Sequence, residues 1–354
     1  MNSYSDNALM TKVRALYGKG LHAEDYRKLL QAKTVGAIAS YLKEETSYKE
    51  SLAEVQEELI HRGQLENLLR KRVLNVSLSL LKYSYDDKLF LMVYTMQNEV
   101  TELLEAIRLL NAGESGRYIV ALPAYLARYL SFDLYGLAAI KSFDGLLEVL
   151  AHSPYYEVLA SFRPARGNQS INIAACERAL LTHYFSTLQT YVKEHYRGST
   201  RDSLEDLFHF QIDEHNLTTL FRLKRFYRYT PDQLREVVLP LEGALSSRFY
   251  QRLLETRDDR EFLEVLSGHS RAVRRYDLGR QADGTDIVGQ LGRIQQRSAL
   301  KAFRFSSRPI VVVINYLTLL EIEVSNIIHI IEGIRYEMPS EEISALLTIE
   351  EKRA

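Results

Sequence analysis

The sequence predicts an all-α fold made of three similar helical domains. The first observation is a segment with helical spacing that occurs three times, beginning at Glu99, Asp213 and Glu323. These starts lie 114 residues (213 − 99) and 110 residues (323 − 213) apart. The second observation is a predicted helix start that recurs at similar separations. The third is a low content of helix-breaking residues, with 7 prolines and 17 glycines in 354 residues, which favours long helices over a turn-rich β architecture.

The three copies of the repeated segment share one arrangement of residue types. In each copy a polar residue follows the acid three positions later, and apolar residues then occupy three columns. The columns are 103/217/327, 106/220/330 and 107/221/331. Spacing of i, i+3 and i+4 places these positions on one face of an α-helix. The segment therefore predicts a helix with one buried stripe in each third of the chain.

The recurring helix start consists of a base, a residue that can cap a helix, and an apolar stretch that ends in leucine. The capping positions are Thr34, Ser142 and Asp258, which are 108 (142 − 34) and 116 (258 − 142) residues apart. Such a side chain accepts a hydrogen bond from a free amide of the first helical turn. Two markers with nearly equal spacing support a threefold internal duplication.

The remaining elements of the first third are also predicted to be helical. Residues 8–50 indicate two helices, the second opened by Thr34, and leucines from Leu52 to Leu81 recur at the intervals of a long amphipathic helix or a pair of helices. The clearest turn in the first half of the chain is 111–116, which contains Gly113 and Gly116.

The middle and last thirds repeat this plan. A helix through Tyr155 and Tyr156 precedes a long helix at 171–196, and Thr230 with Pro231 indicates another helix start. Residues 310–314 are β-branched and alone would suggest a strand, but their position before the third copy predicts a helix. Residues 279–286 are predicted to form an exposed loop.

These repeats predict the domains 1–113, 114–227 and 228–354. A unit of about 110 residues is far longer than the roughly 33 to 47 residues of common helical repeats, so each unit is predicted to be a small domain. Three consecutive similar domains with short linkers can close about a pseudo-threefold axis.

Composition and charge exclude several classes of protein. The 45 basic and 46 acidic residues leave a formal charge of −1, which argues against a nucleic acid as the main partner. Cys176 is the only cysteine, so no intramolecular disulfide can form and a reducing compartment is the simplest interpretation. The amino terminus lacks an apolar signal core. The best apolar run begins at Ile310 but is interrupted by Asn315 and Glu321, so no membrane span is predicted.

Motifs that carry chemistry are not found. The sequence contains no Walker A motif, no His-Glu-x-x-His and no Gly-x-Ser-x-Gly, so we predict no catalytic residue, no cofactor and no metal site. The run from Arg222 to Tyr229 interleaves bases with aromatic residues, as some nucleic-acid patches do. A solvated helix face that suits an acidic protein partner is the favoured alternative.

Several stretches, in their order and spacing, carry a resemblance to a known family. They are Lys12–Leu16, Glu24–Leu30, Asn216–Lys224, Glu323–Ile328 and Pro339–Ile343. Over nearly its whole length the chain resembles the C subunit of the V-type and A-type rotary ATPases, the counterpart of the d subunit of the eukaryotic V-ATPase. The segment 281–293 is glycine-rich and matches the other repeats poorly, which leaves its local structure open.

The resemblance implies a non-catalytic rotor subunit, present in one copy per complex. Such a subunit is a helical funnel on the cytoplasmic end of the membrane proteolipid ring, peripheral to the membrane, and its central cavity receives the coiled-coil shaft. It would transmit torque for ATP-coupled proton or sodium transport. The alternative is a helical scaffold or nucleic-acid-binding adaptor that uses the run Arg222–Arg228.

The residues that would contact the partners lie on the helices of the three copies. Their bases could meet acidic residues of the shaft, or they could be solvated helix ends. Their leading acids either pair with neighbouring bases or line the cavity. The full set of predicted partner-binding residues is Arg108, Arg222, Lys224, Arg225, Arg335, Glu99, Asp213 and Glu323.

Overall fold

The computed structural model of the chain describes residues 3–84, 88–165, 170–276 and 287–349. Within these ranges every regular element is a helix and no strand is present, which confirms the all-α fold class. The predicted loop 279–286 lies outside the described residues, as do residues 281–286 of the glycine-rich segment. From Ile287 onward that segment is helical.

Eighteen α-helices run through the described part of the chain. In order they are α1 Ser3–Tyr17, α2 Ala23–Leu30, α3 Val35–Glu45, α4 Arg62–Leu81, α5 Leu89–Asn111, α6 Tyr118–Ala121, α7 Leu134–Ala138, α8 Phe143–Val149, α9 Tyr155–Ala160, α10 Ile173–His195, α11 Gly198–Arg222, α12 Pro231–Arg235, α13 Ser247–Leu254, α14 Asp259–Ser267, α15 Ser270–Tyr276, α16 Ile287–Phe305, α17 Pro309–Arg335 and α18 Ser340–Leu346. A π-helical turn, Leu223–Tyr227, continues α11.

The chain divides into two compact units. The first combines residues 1–92 with 292–354, and the second is the continuous segment 93–291. The arrangement of three domains about a pseudo-threefold axis, with boundaries at 113 and 227, stays a prediction.

The first unit is built around α17. This helix packs against α1 and α4 and also contacts α2, α3 and α18. The β-branched run is helical, as predicted, and residues 310–318 are all buried. Burial on every side of the helix outweighs the local preference of these residues for a strand. Among the described residues α17 is the one helix long and apolar enough to cross a membrane, but 72% of its apolar window is buried inside the protein. A core helix of a folded domain passes the same test.

Two predictions for the first unit were wrong in their helix bounds. Residues 8–50 contain three helices rather than two, because the chain turns at Gly18–Gly20, where the amide of Gly20 donates to the carbonyl of Tyr17. The helix predicted from Leu52 begins only at Arg62, and the preceding residues form turns. Leu52 is nevertheless fully buried, so the spacing of the leucines that begin at Leu52 reflects burial there and not a helix.

The second unit contains copies one and two of the repeated segment. Copy one lies in α5 and copy two in α11, which packs along α10. The predicted apolar stripe is confirmed in all three copies, since the nine column residues are all buried: Leu103, Ala106, Ile107, Leu217, Leu220, Phe221, Ile327, Ile330 and Ile331.

The predicted helix starts are also confirmed. The side chains of Thr34, Ser142 and Asp258 cap α3, α8 and α14, and each accepts a hydrogen bond from the backbone amide three residues later. Thr230 caps α12 in the same way, with Pro231 in its first turn. Each cap satisfies an amide that has no partner within the helix.

Candidate functional site

The leading acid of copy one is buried in the second unit, where it joins α5 to later elements. One carboxylate oxygen of Glu99 accepts the backbone N–H of Ser131, and the other accepts the hydroxyl of Tyr155 at 2.8 Å. The side chain of Glu99 is 5% exposed. Burial and the adjacent carboxylate both raise the pKa of Tyr155, so its hydroxyl stays protonated and donates.

The acid of copy two has the same kind of partners. Oδ2 of Asp213 accepts the backbone N–H groups of Ala244 and Leu245 at 2.9 and 3.0 Å, and Oδ1 accepts the hydroxyl of Tyr250 at 2.8 Å. Asp213 is fully buried, so these donors replace the water that an exposed carboxylate would bind. Gly243 lies directly against the carboxylate, where a side chain would overlap Oδ1.

The acid of copy three repeats the pattern in the first unit. Oε2 of Glu323 accepts the backbone N–H of Leu21 at 2.7 Å, and Oε1 accepts the hydroxyl of Tyr48 at 2.8 Å. Burial raises the pKa of Glu323, although the bonds from Leu21 and Tyr48 and the charge of Arg72 act in the opposite direction. A glycine, Gly20, again precedes the amide, and a Cβ there would lie 2.9 Å from Oε2.

We call these three sets of residues acid anchors 1, 2 and 3. Each anchor holds a loop that leads into a short helix, because the donating amide lies one or two residues before the N-cap residues His22, Asp133 and Ser246. The acid therefore fixes the start of a short helix relative to the copy helix, a later helix in anchors 1 and 2 and the earlier helix α2 in anchor 3. The prediction that the acids pair with bases or line a cavity did not include this internal role.

The polar column three residues after the acid has internal partners as well. The side-chain oxygen of Asn216 accepts the backbone N–H of Leu239 at 2.9 Å. The side-chain N–H of Asn326 donates to the carbonyl of Thr348, and its side-chain oxygen accepts the backbone N–H of Thr348, both at 2.8 Å. In copy one Glu102 accepts the hydroxyl of Tyr118. The polar side chains of the repeated segment thus join each copy helix to another segment of its own unit.

Most of the predicted basic residues lie at the surface, at the carboxyl ends of the copy helices. Arg108 is exposed and forms long ion pairs with Glu105 and Glu177, at 3.9 and 3.7 Å. Arg335 is exposed and lies over the ring of Tyr336. Exposed pairs of this kind contribute little to stability, so these side chains are available to a partner.

The bases of copy two lie in one turn but differ in exposure. Arg222 is exposed, whereas Arg225 is half-buried and its Nε lies 3.9 Å from Oδ2 of Asp259. Lys224 is buried, and its ammonium donates to the carbonyls of Leu254 and Thr256 at 2.9 and 2.5 Å, at the end of α13. Burial lowers the pKa of Lys224. Binding of a partner by the eight residues stays a prediction, and Lys224 would first have to leave these carbonyls.

Comparison with known proteins places the chain in a family. Residues 9–346 match the model of the ATP synthase (C/AC39) subunit. The C subunit of the A-type ATP synthase of Archaeoglobus fulgidus is 23% identical over 346 residues, which cover 96% of this chain and 95% of that protein. The C subunit of the A-type ATP synthase of Methanosarcina mazei is 23% identical over 269 residues, 73% of this chain and 71% of its own.

The chain belongs to the ATP synthase (C/AC39) subunit family. The resemblance inferred from the sequence is thereby confirmed. The chain is a subunit of a rotary ATPase complex and not its catalytic subunit. The part of the chain that the structure describes contains no group of three or more His, Cys, Asp or Glu side chains that could hold a metal ion.

Sequence reasoning missed the donors of the acid anchors in this C/AC39 subunit. Tyr48 and Tyr155 follow the capped helices α3 and α8, whereas Tyr250 precedes the capped helix α14. The tyrosine thus has no constant position in the repeat, and the chain contains 23 tyrosines. A usable signal was the glycine before the donating amide, which is present in anchors 2 and 3.

Replacing Tyr155 by phenylalanine tests acid anchor 1. The ring stays, but Glu99 loses one of its two donors, and we expect the free energy of unfolding to fall by about 1.5 kcal/mol. The matched control is Tyr156→Phe, at a partly exposed neighbour, with an expected change within about 0.5 kcal/mol. Urea unfolding followed by circular dichroism measures both. Equal midpoints for the two variants would show that the hydroxyl of Tyr155 adds no stability.

Proposed function

We propose that the chain is the central-stalk subunit that links the rotating shaft of a V-type or A-type ATPase to the membrane proteolipid ring. In this role it transmits torque for ATP-coupled proton or sodium transport and catalyses no reaction itself. It would lie at the cytoplasmic end of the ring, peripheral to the membrane, in one copy per complex. Its three repeats would surround a pseudo-threefold axis as a funnel whose cavity receives the shaft.

The observation that carries the proposal is the recurrence of the acid anchor at the same column of all three copies. A subunit that transmits torque from a thin shaft to a wide ring must be rigid at the contacts between its helical segments. Hydrogen bonds to a buried carboxylate are directional and are charge-assisted, which makes them about twice as strong as neutral ones. Each anchor adds such bonds between a long copy helix and a loop that leads into a short helix, and close packing around them limits deformation.

The experiment is reconstitution with and without the chain. The holoenzyme lacking this subunit is expected to retain ATP hydrolysis in its catalytic head but to lose ATP-driven ion transport into vesicles. Adding the purified chain back should restore transport. In parallel, the purified chain is expected to co-purify with the shaft subunits and with the ring at low salt.

Two results would contradict the proposal. One is undiminished ATP-driven transport by a complex that lacks the chain. The other is failure of the folded chain to bind either shaft or ring at low salt, where contacts between exposed charges are strongest.

A further inference from the structure

The three copy helices end in the same way, with one difference. Each is followed by a residue in the left-handed region, Gly113, Arg228 or Glu337, with φ of 71°, 52° and 54°. Gly113 and Glu337 lie 14 residues after their leading acids (113 − 99 and 337 − 323), whereas Arg228 lies 15 residues after Asp213 (228 − 213). Copy two therefore contains one extra residue before its end.

The extra residue is accommodated by the π-helical turn Leu223–Tyr227. In copies one and three, the amide after the left-handed residue bonds to a carbonyl five residues back, as Glu114 does to Leu109. In copy two the amide of Tyr229 reaches six residues back, to Leu223. Lys224 holds the inner side of the turn through the carbonyls at the end of α13. Such insertions are frequent at functional sites.

The outer side of this turn is unusually apolar for a surface. Phe226 is 67% exposed, Tyr227 is 68% exposed and Tyr229 is 36% exposed. They are three of the ten large apolar or aromatic side chains that are exposed in the described residues, and they lie within four positions. The side chain of Phe226 has no polar atom to bind water, so its exposure to solvent is unfavourable in free energy. A partner that covers the ring would remove this unfavourable exposure.

Positive charge surrounds these rings. Arg222 and Arg228 are exposed, no ion pair of either is found among the described residues, and the segment 222–229 contains no acid. Arg225 lies against the rings of Phe221 and Phe226, at 5.6 and 5.5 Å. We call Arg222, Arg225, Phe226, Tyr227, Arg228 and Tyr229 the π-turn patch. Aromatic residues and arginines are the types that dominate binding energy at protein interfaces.

We propose that the π-turn patch is the docking surface for an acidic protein segment of the shaft. Carboxylates of that segment would pair with Arg222 and Arg228, and its apolar side chains would cover Phe226 and Tyr227. A protein is favoured over a nucleic acid because the chain as a whole carries a formal charge of −1, so no net positive charge attracts a phosphate backbone to it. This proposal rests on the proposed function.

The π turn also answers a geometric requirement of torque transmission. If three similar repeats surround a shaft, they offer three similar ends and do not by themselves fix its angle. Only the second copy has the π turn among the three, so a contact made there selects one orientation. The patch would thus hold the shaft at a fixed angle relative to this subunit, which torque transfer without slipping requires.

The experiment uses the full chain and the purified shaft subunits, with binding measured by titration at two salt concentrations. The first variant is Phe226→Ala with Tyr227→Ala, and the second is Arg222→Glu with Arg228→Glu. Each is expected to raise the dissociation constant at least about 30-fold, as loss of an interface hot spot does. The charge variant should also lose most of the salt dependence. The control is Arg304→Glu with Phe305→Ala, an exposed pair at the end of α16 that lies outside the predicted partner-binding set, and it should stay within about twofold of the unmodified chain.

The outcomes separate this proposal from the proposed function. If the unmodified chain fails to bind the shaft, both are wrong. If it binds but both patch variants bind equally well, only the patch proposal is wrong, and circular dichroism checks that the variants are folded. Mixed-sequence single-stranded RNA is the third probe. Binding of RNA that the patch variants lose, with shaft binding intact, would assign the patch to nucleic acid and overturn the proposal.

Discussion

Replacing Asp213 by alanine is expected to lower the free energy of unfolding of the second unit by about 4 kcal/mol. The carboxylate accepts hydrogen bonds from Ala244, Leu245 and Tyr250, and each of these three bonds would be lost. Leaving a buried donor unsatisfied costs about 1–3 kcal/mol, part of which water entering the new space recovers. Acid anchor 2 contains no second carboxylate that could accept in its place.

The measurement is urea unfolding together with hydrogen exchange of the peptide that contains residues 243–250. The amides of Ala244 and Leu245 should lose their protection in the variant. The matched control is Asp202→Ala, an exposed acid on the same helix, with an expected change within about 0.5 kcal/mol. Identical midpoints for Asp213→Ala and Asp202→Ala would mean that the anchor does not stabilise the unit.

The substitution Gly243→Ala is expected to cost about 3 kcal/mol through the same anchor. A Cβ at this position would overlap Oδ1 of Asp213 and lie 2.6 Å from its Cγ, so the loop or the carboxylate must move. Such overpacking costs about 1–3 kcal/mol by itself, and the movement weakens the anchor as well. The control is Gly116→Ala in the same unit, where no atom lies within 4 Å of the added carbon.

A double-mutant cycle separates this clash from a general effect on the loop. In the variant that combines Asp213→Ala with Gly243→Ala, the overlapping carboxylate is gone, so the second substitution should cost less than about 1 kcal/mol. Unfolding midpoints of the single and double variants give the coupling energy. Additive effects would show that Gly243 is required for its backbone and not for the space it leaves to Asp213.

Features that depend on local chemistry were predictable from the sequence. Capping by Thr34, Ser142 and Asp258 needs only a short polar side chain before an apolar helix, and each cap is confirmed. The apolar columns were predictable because one face of a helix repeats at a fixed spacing. The helix at 310–314 was predictable only through the repeat, since its β-branched residues favour a strand by themselves.

Features that depend on distant parts of the chain were not predictable. Tyr250 and Glu99 differ from the other tyrosines and glutamates of the chain only in what the fold brings beside them. Lys224 has the sequence context of an exposed base between Leu223 and Arg225, yet the π turn directs its ammonium to the carbonyls of Leu254 and Thr256. Spacing rules assume 3.6 residues per turn, so an inserted residue changes which side chains face inward.

Acid anchor 3 has a consequence for the order in which the chain can fold during translation. Its donors, Leu21 and Tyr48, leave the ribosome early, whereas Glu323 lies 302 residues beyond Leu21. At about 5–20 residues per second, the amino-terminal helices wait on the order of ten seconds or more for α17. The second unit is continuous in sequence and can fold in that interval. Folding would therefore proceed from the middle of the chain to its ends, and the apolar faces of α2, α3 and α4 would lack their contacts with α17 until that helix is synthesised.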